Sequence, residues 1–245
     1  MEHNAIIGRD REIEIVRDHV RQGESLHVYG PEGVGKTALI DYLCRTWGEI
    51  GTSRAPIYCE QSGTLEQILD TIAKTLLSEG KKLVDIDYER RTERLILKPE
   101  DLQTVQRRNL RNMVFPHIKR GNFYVILDHL ENVTPRTSSF IKALYGCTPV
   151  ITVSRLNWDE AIMAIAGASE PVHVSKLALG NLDKESAFNL MESLLSKHDL
   201  LKAKVPDSRR LFEDAYAVTQ GNLKKIKNMF AKAMDPKCLH DSARK

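Results

Sequence analysis

Gly30-Pro31-Glu32-Gly33-Val34-Gly35-Lys36-Thr37 satisfies the phosphate-binding pattern G-x-x-x-x-G-K-[ST], and each fixed position in it has a physical reason. Gly30, Gly33 and Gly35 can take backbone angles that clash with a Cβ, so the segment can wrap an anion and aim successive N–H groups at it. Pro31, Glu32 and Val34 complete the cradle. A helix is expected to open near Lys36 and run through Cys44, with Ala38 in its first turn. Its unpaired N-terminal amides and positive dipole end suit a β-phosphate. Lys36 is placed to reach the β- and γ-phosphates of a nucleotide, and the Thr37 hydroxyl to ligate Mg²⁺.

A second segment fits the same chemistry. Phe123-Tyr124-Val125-Ile126-Leu127-Asp128 is an apolar run ending in a carboxylate, the Walker B pattern. Buried between neighbours, such a strand holds Asp128 at its tip, where it binds magnesium directly or through water alongside Thr37.

These groups need a scaffold, and five short apolar runs supply one: Leu26 to Tyr29, Pro56 to Glu60, Phe123 to Leu127, Val150 to Val153 and Val172 to Val174. Each is bounded by turn residues and separated from the next by helix-like sequence, which predicts a buried parallel sheet with helices on both faces. Ligands of such sheets bind beyond the carboxyl ends of the strands, where the glycine loop follows the first run. Apolar spacing predicts a helix over Thr64 to Leu77 and another over Pro99 to Arg120, while residues 80 to 99 lose periodicity and read as an extra hairpin or loop. After Leu177 only helical stripes remain, the first behind Asp183 as N-cap. The expected fold is therefore α/β: a P-loop NTPase core with a five-stranded parallel sheet over residues 1–177, a small all-helical lid over 178–235, and a loose tail over 236–245.

Composition sets bounds on this reading. The chain has 245 residues, 42% hydrophobic and 28% charged, values ordinary for a soluble globular protein. No apolar run approaches the roughly 18 residues that span a bilayer, and the N-terminus lacks the basic-then-apolar start of a signal peptide. A cytoplasmic location and no membrane partner are expected. Cys44, Cys59, Cys147 and Cys238 lie far apart, which suggests neither a zinc site nor a disulfide framework. The net charge of +3 is uneven: residues 81–120 carry eleven Lys or Arg against six Asp or Glu, and residues 222–245 seven against two. Such segments suit a nucleic-acid or partner surface, although the interleaving of Arg90, Arg91 and Arg94 with Glu89 and Glu93 favours solvated faces.

The order of motifs resembles a family. Ile6-Ile7-Gly8-Arg9-Asp10-Arg11-Glu12 is similar to the G-R-E/D box that opens STAND-type and related AAA+ ATPases. Pro149 to Arg155 resembles their sensor strand, Leu177 to Glu185 the beginning of their lid, and Gly221-Asn222-Leu223-Lys224 the start of the lid's last helix. The likeness covers roughly residues 4 to 235. It implies Ile7 and Arg9 beside the adenine, Arg155 at the γ-phosphate, and Lys224 where a basic residue reports the nucleotide to the lid. The sequence departs from AAA+ enzymes at one place. The Walker B acid is commonly followed by a glutamate that orients the attacking water, whereas here His129 follows Asp128 and the nearest carboxylate is Glu131. Glu131 and His129 are the hydrolytic candidates, and turnover below about 1 s⁻¹ is expected.

The resemblance implies an ATP-dependent switch with Mg·ATP as cofactor, in which nucleotide closes the lid and favours homo-oligomers, a neighbouring subunit supplying an arginine finger. The sequence ends after the lid, so output is expected through assembly or a separate effector protein. The alternatives are a DNA-associated AAA+ ATPase similar to transposition regulators or loaders, with Lys81 to Arg120 as the DNA-facing segment, and a nucleotide-binding scaffold that does not hydrolyse. A P-loop kinase is disfavoured, for no acceptor-site carboxylate or arginine-rich lid is apparent.

Overall fold

A computed structural model describes residues 6–87, 91–131, 133–157, 174–196 and 208–233. Contacts divide the chain into two compact units. One gathers Met1–Glu14, Gly30–Tyr42 and Ala178–Lys245, and the other Ile15–Tyr29 and Leu43–Leu177.

Helix α1 (Asp10–Gln22) follows from Ile13, Val16 and Val20, which recur on one face and are buried. Asp10 and Glu12 in its first turn and His19 and Arg21 in its last complement the helix dipole. It stops at Gly23 (φ +70°), where Glu24 N–H donates to His19 O and Gly23 N–H to Val20 O, a paired C-terminal cap that satisfies two end carbonyls.

The sheet has five strands in the order β2-β5-β6-β1-β7: β1 (Leu26–Tyr29), β2 (Ala55–Cys59), β5 (Phe123–Leu127), β6 (Val150–Ser154) and β7 (Ser175–Ala178). β2 pairs with β5, β5 with β6, and β6 with β1, all parallel. β5 and β6 are buried along their whole length, which is why they read as unbroken apolar runs rather than alternating ones. The last strand runs C-terminal to the expected Val172 to Val174. Val174 lies outside any strand, and residues 172 and 173 lie outside the described residues.

Helix α2 (Lys36–Arg45) opens directly from the glycine loop, and α3 (Leu65–Ser78) is started by a reciprocal cap in which Gln67 N–H donates to Thr64 Oγ1 and Thr64 N–H to Gln67 Oε1. α3 packs on β2 and against α4 (Arg107–Arg120). Ile57, Ile68, Ile72, Leu76, Val114 and Val125 form the centre of that core, with Phe140 and Leu144 of α5 (Pro135–Tyr145). The expected single helix from Pro99 to Arg120 is two pieces, a 3-10 helix over Pro99–Thr104 and then α4, because Val105 and Gln106 are both extended. The aperiodic stretch before it is an antiparallel ribbon, β3 (Leu83–Asp87) with β4 (Thr92–Ile96). Leu83 and Ile96 pair on its buried face, while Val84 and Leu95 pair on the other, 39% and 50% exposed.

The three helical stripes are α6 (Lys184–Ser196), α7 (Ser208–Thr219) and α8 (Leu223–Ala233). Asp183 caps α6, its carboxylate accepting from Ser186 N–H at 2.8 Å. Leu182, Ala187, Met191, Phe212, Ala215 and Ile226 form their shared core, against which Ile7 packs. Among the described residues, no helix is long and apolar enough to cross a membrane.

Candidate nucleotide-binding site

The loop from Gly30 to Gly35 turns on three glycines at positive φ: +153°, +82° and +101° at Gly30, Gly33 and Gly35. Two of them also permit a close approach of chain. A Cβ on Gly30 would stand 2.1 Å from Leu179 O, and one on Gly33 would stand 2.6 Å from Asn222 Oδ1 and 2.8 Å from Lys224 Cβ. Glycine is thus required by backbone angle and by neighbours from the helical region together. Lys36 folds back along the loop, its Nζ donating to Gly30 O at 2.7 Å and Pro31 O at 2.9 Å. The first turn of α2, with Thr37 and Ala38 in it, contains no acidic residue. This donor set fits a polyphosphate: positive-φ glycines, an ammonium at the loop, and a helix N-terminus free of competing carboxylates.

Residues distant in sequence hold the loop from behind. Arg9, 4% exposed, donates from Nη2 to the carbonyls of Val34 (2.9 Å) and Gly180, and from Nη1 to Glu12 at 2.8 Å. Asn222 donates to Glu32 O at 3.0 Å, and Lys224 N–H donates to Gly33 O at 3.0 Å. The Lys224 ammonium lies 2.6 Å from Glu32 Oε1 in an exposed ion pair. Three of the residues that the resemblance brought to the nucleotide therefore sit on this unit: Ile7 in the helical core, and Arg9 and Lys224 on the loop itself. Asn222 was missed as a site residue. Its signal was its place between Gly221 and Lys224, an N-cap position ahead of an apolar-periodic run.

In the other unit, β5 and β1 both run parallel to β6, so Asp128 follows β5 at the carboxyl end of the sheet. Asp128 is 1% exposed, and its carboxylate accepts from His129 N–H at 2.7 Å and from the Tyr58 hydroxyl at 3.3 Å. His129 takes φ +54°, an unusual conformation for a residue with a Cβ, which redirects the chain after Asp128 while the ring stays exposed. Leu130 N–H then donates to Val153 O, which carries Glu131 toward the end of β6. There Glu131 meets Arg155: Oε1 is 3.5 Å from Arg155 Nε, and Oε2 accepts from Arg155 N–H at 3.3 Å. The fold thus brings Asp128, His129, Glu131 and Arg155 to one edge. Tyr58, the donor to Asp128 from β2, was not anticipated, since a tyrosine in an apolar run reads as packing.

A glycine loop between a central parallel strand and a helix, with a buried aspartate ending a strand of the same sheet, defines a P-loop nucleoside triphosphatase fold. Residues 5–156 match the profile of the AAA ATPase domain, and the chain belongs to that family. Two solved structures agree on the fold. The ADP form of the ORC2 protein of Aeropyrum pernix is 12% identical with a TM-score of 0.58, covering 98% of this chain and 66% of that one. The replication initiator DnaA bound to AMPPCP and single-stranded DNA is 15% identical with a TM-score of 0.53, covering 98% and 67%. Cdc6p of Pyrobaculum aerophilum is 16% identical with a TM-score of 0.47, covering 77% and 49%. The chain spans between about half and two thirds of the lengths of these proteins. No curated protein matches it.

Proposed function

We propose that this AAA+ P-loop ATPase is a Mg·ATP-binding switch of the STAND kind, in which nucleotide at the loop biases the helical region and favours self-association. The observation that carries this reading is the set of bonds between the loop and that region: Asn222 to Glu32 O, Lys224 N–H to Gly33 O, and Arg9 to both Val34 O and Gly180 O. A ligand shifts a conformational equilibrium only by its differential affinity for the two states, so a loop bonded directly to helices is a place where such a difference can arise. ATP supplies a triphosphate anion, and magnesium neutralises part of its charge. The glycine amides and Lys36 suit the phosphates by chemistry, and Thr37 and Asp128 suit the metal. Arg155 is assigned to the γ-phosphate, and Ile7 and Arg9 to the adenine side. Glu131 and His129 remain the hydrolytic groups, and slow turnover is in keeping with the engagement of the Glu131 carboxylate by Arg155, which occupies the oxygens that would orient a water.

Calorimetry with Mg·ATP tests the binding claim: wild type takes up one equivalent and Lys36→Ala loses it. Sedimentation with and without ATP tests assembly. Steady-state phosphate release should stay below about 1 s⁻¹. Faster release, unaffected by Glu131→Gln and His129→Ala, removes the switch reading.

A second reading, a DNA-associated ATPase, is favoured by one observation. Arg91, Arg94, Arg108, Arg111, Lys119 and Arg120 on the ribbon and α4 are exposed. The DnaA structure above holds single-stranded DNA. ATP-dependent retardation of duplex or single-stranded DNA that weakens steeply with salt would support it. Absence of retardation at low salt rejects it.

A further inference from the structure

Strand β1 carries a buried histidine that the phosphate chemistry does not use. His27 is 1% exposed, with Nδ1 3.0 Å from Thr152 Oγ1 and Nε2 3.1 Å from Leu156 O. A carbonyl oxygen only accepts, so Nε2 carries the proton and Nδ1 accepts from the Thr152 hydroxyl. The Tyr145 hydroxyl, 3.2 Å from Thr152 Oγ1, extends the chain. Burial pushes the Tyr145 phenol well above its ordinary range, which keeps it a donor. The bonds then run one way, from Tyr145 to Thr152 to His27 to the Leu156 carbonyl. The ring is further steadied by stacking on Tyr29, the next residue on the same strand face, at 5.6 Å and 5°.

The receiving carbonyl belongs to the turn that also carries Arg155, whose own N–H donates to Glu131 Oε2 at 3.3 Å. Leu156 is 61% exposed, so its side chain contributes little apolar anchoring. Its carbonyl, by contrast, accepts twice, from His27 and from the Ser154 hydroxyl at 2.6 Å. Arg155 lies between Ser154 and Leu156, within that turn.

We propose that His27 is a positioning residue for Arg155: its Nε2–H, with Ser154, pins the Leu156 carbonyl and so fixes the turn from which the arginine leaves the sheet. A leucine or valine would fill the same buried strand position but leave the carbonyl one donor short. The functional half of this inference rests on the assignment of Arg155 to the γ-phosphate.

Two measurements on the full chain test it. In the nucleotide-free protein, nitrogen-15 spectra of the histidine rings should show His27 as the Nε2–H tautomer. Hydrogen exchange at the amides of residues 155–157 should be about fivefold to tenfold faster in His27→Phe, the loss of roughly one hydrogen bond, and close to wild type in His27→Gln, whose amide can donate in place of Nε2. With nucleotide, His27→Phe should lower the preference for ATP over ADP toward that of Arg155→Ala, leaving ADP affinity unchanged. If His27→Phe does not fold, Thr152→Val, which removes the hydroxyl that fixes the tautomer, should raise exchange at the same amides. An Nδ1–H tautomer, or unchanged exchange in folded variants, overturns the proposal. If Arg155→Ala keeps the wild-type preference, the nucleotide role of Arg155 falls, and faster exchange in His27→Phe still supports the anchor.

Discussion

Replacing Asn222 by alanine should uncouple the phosphate loop from helix α8. The side chain is 8% exposed and does two jobs. Its Oδ1 accepts from Lys225 N–H at 3.1 Å, capping α8, and its Nδ2 donates to Glu32 O at 3.0 Å and Asn181 Oδ1 at 3.3 Å. Loss of the cap costs about 1 kcal/mol, and loss of the amide bond to the loop about 1 kcal/mol more. For a chain of this size, that sum lowers the melting temperature by about 4–8 °C. Asn222→Ser separates the two effects. Its hydroxyl can still cap the helix but cannot reach the loop carbonyl, so it should recover about half of the lost stability. Both variants should bind Mg·ATP about fivefold more weakly, because both lose the hold on Glu32. Melting followed by circular dichroism, alongside calorimetry, reads both quantities. If serine is as damaging as alanine, or if either variant binds like wild type, the two-job account of Asn222 is wrong.

Three further outcomes follow from the described contacts. Lys224→Ala should leave the melting temperature within about 2 °C of wild type, since its ion pair with Glu32 is exposed on both sides and such pairs contribute little; a larger fall would mean that the pair carries more than its geometry implies. Asp183→Ala should lower melting by about 2–4 °C near neutral pH through loss of the α6 cap. The Ser186 amide and hydroxyl hold the Asp183 carboxyl below its ordinary value of 3.8, so this contribution is present above that value and fades as the pH falls through the lower folded one; a difference that grows in acid would reverse the assignment. Burial pushes the Cys59 thiol up to about 12, so a thiol reagent should label Cys44 and Cys147 in the native protein and Cys59 only on unfolding.

What the sequence made legible follows the physics of each segment. β1 and β5 were readable to the residue because glycine or aspartate ends an apolar run that is buried on both faces. β7 was misplaced because its pattern, with only Leu177 buried, lacks that signature. The break before α4 was hidden because Leu102, Val105 and Leu110 continue an apolar spacing that a 3-10 turn and an α-helix share over short stretches. The ribbon was opaque for a different reason: Val84 and Leu95 are apolar on its exposed face, which erases the alternation that marks a half-buried strand. At the site, residue types gave the glycine loop, Lys36, Thr37 and Asp128. The bonds that brace the loop were not legible, because they join side chains or a backbone amide to loop carbonyls far away in sequence, Asn222 to Glu32 across 190 positions among them. The left-handed turn at His129 carries no sequence mark either, as histidine adopts it only where surrounding bonds compel it.

The bracing of the loop by Arg9, Asn222 and Lys224 has a practical corollary for anyone trimming the molecule. A fragment cut at Leu177 keeps every residue of the nucleotide motif yet strips the donors from the carbonyls of Glu32 and Gly33 and the second acceptor from Arg9. Such a truncate would carry an intact signature on an unsupported bend, and its silence toward ATP would say nothing about the parent.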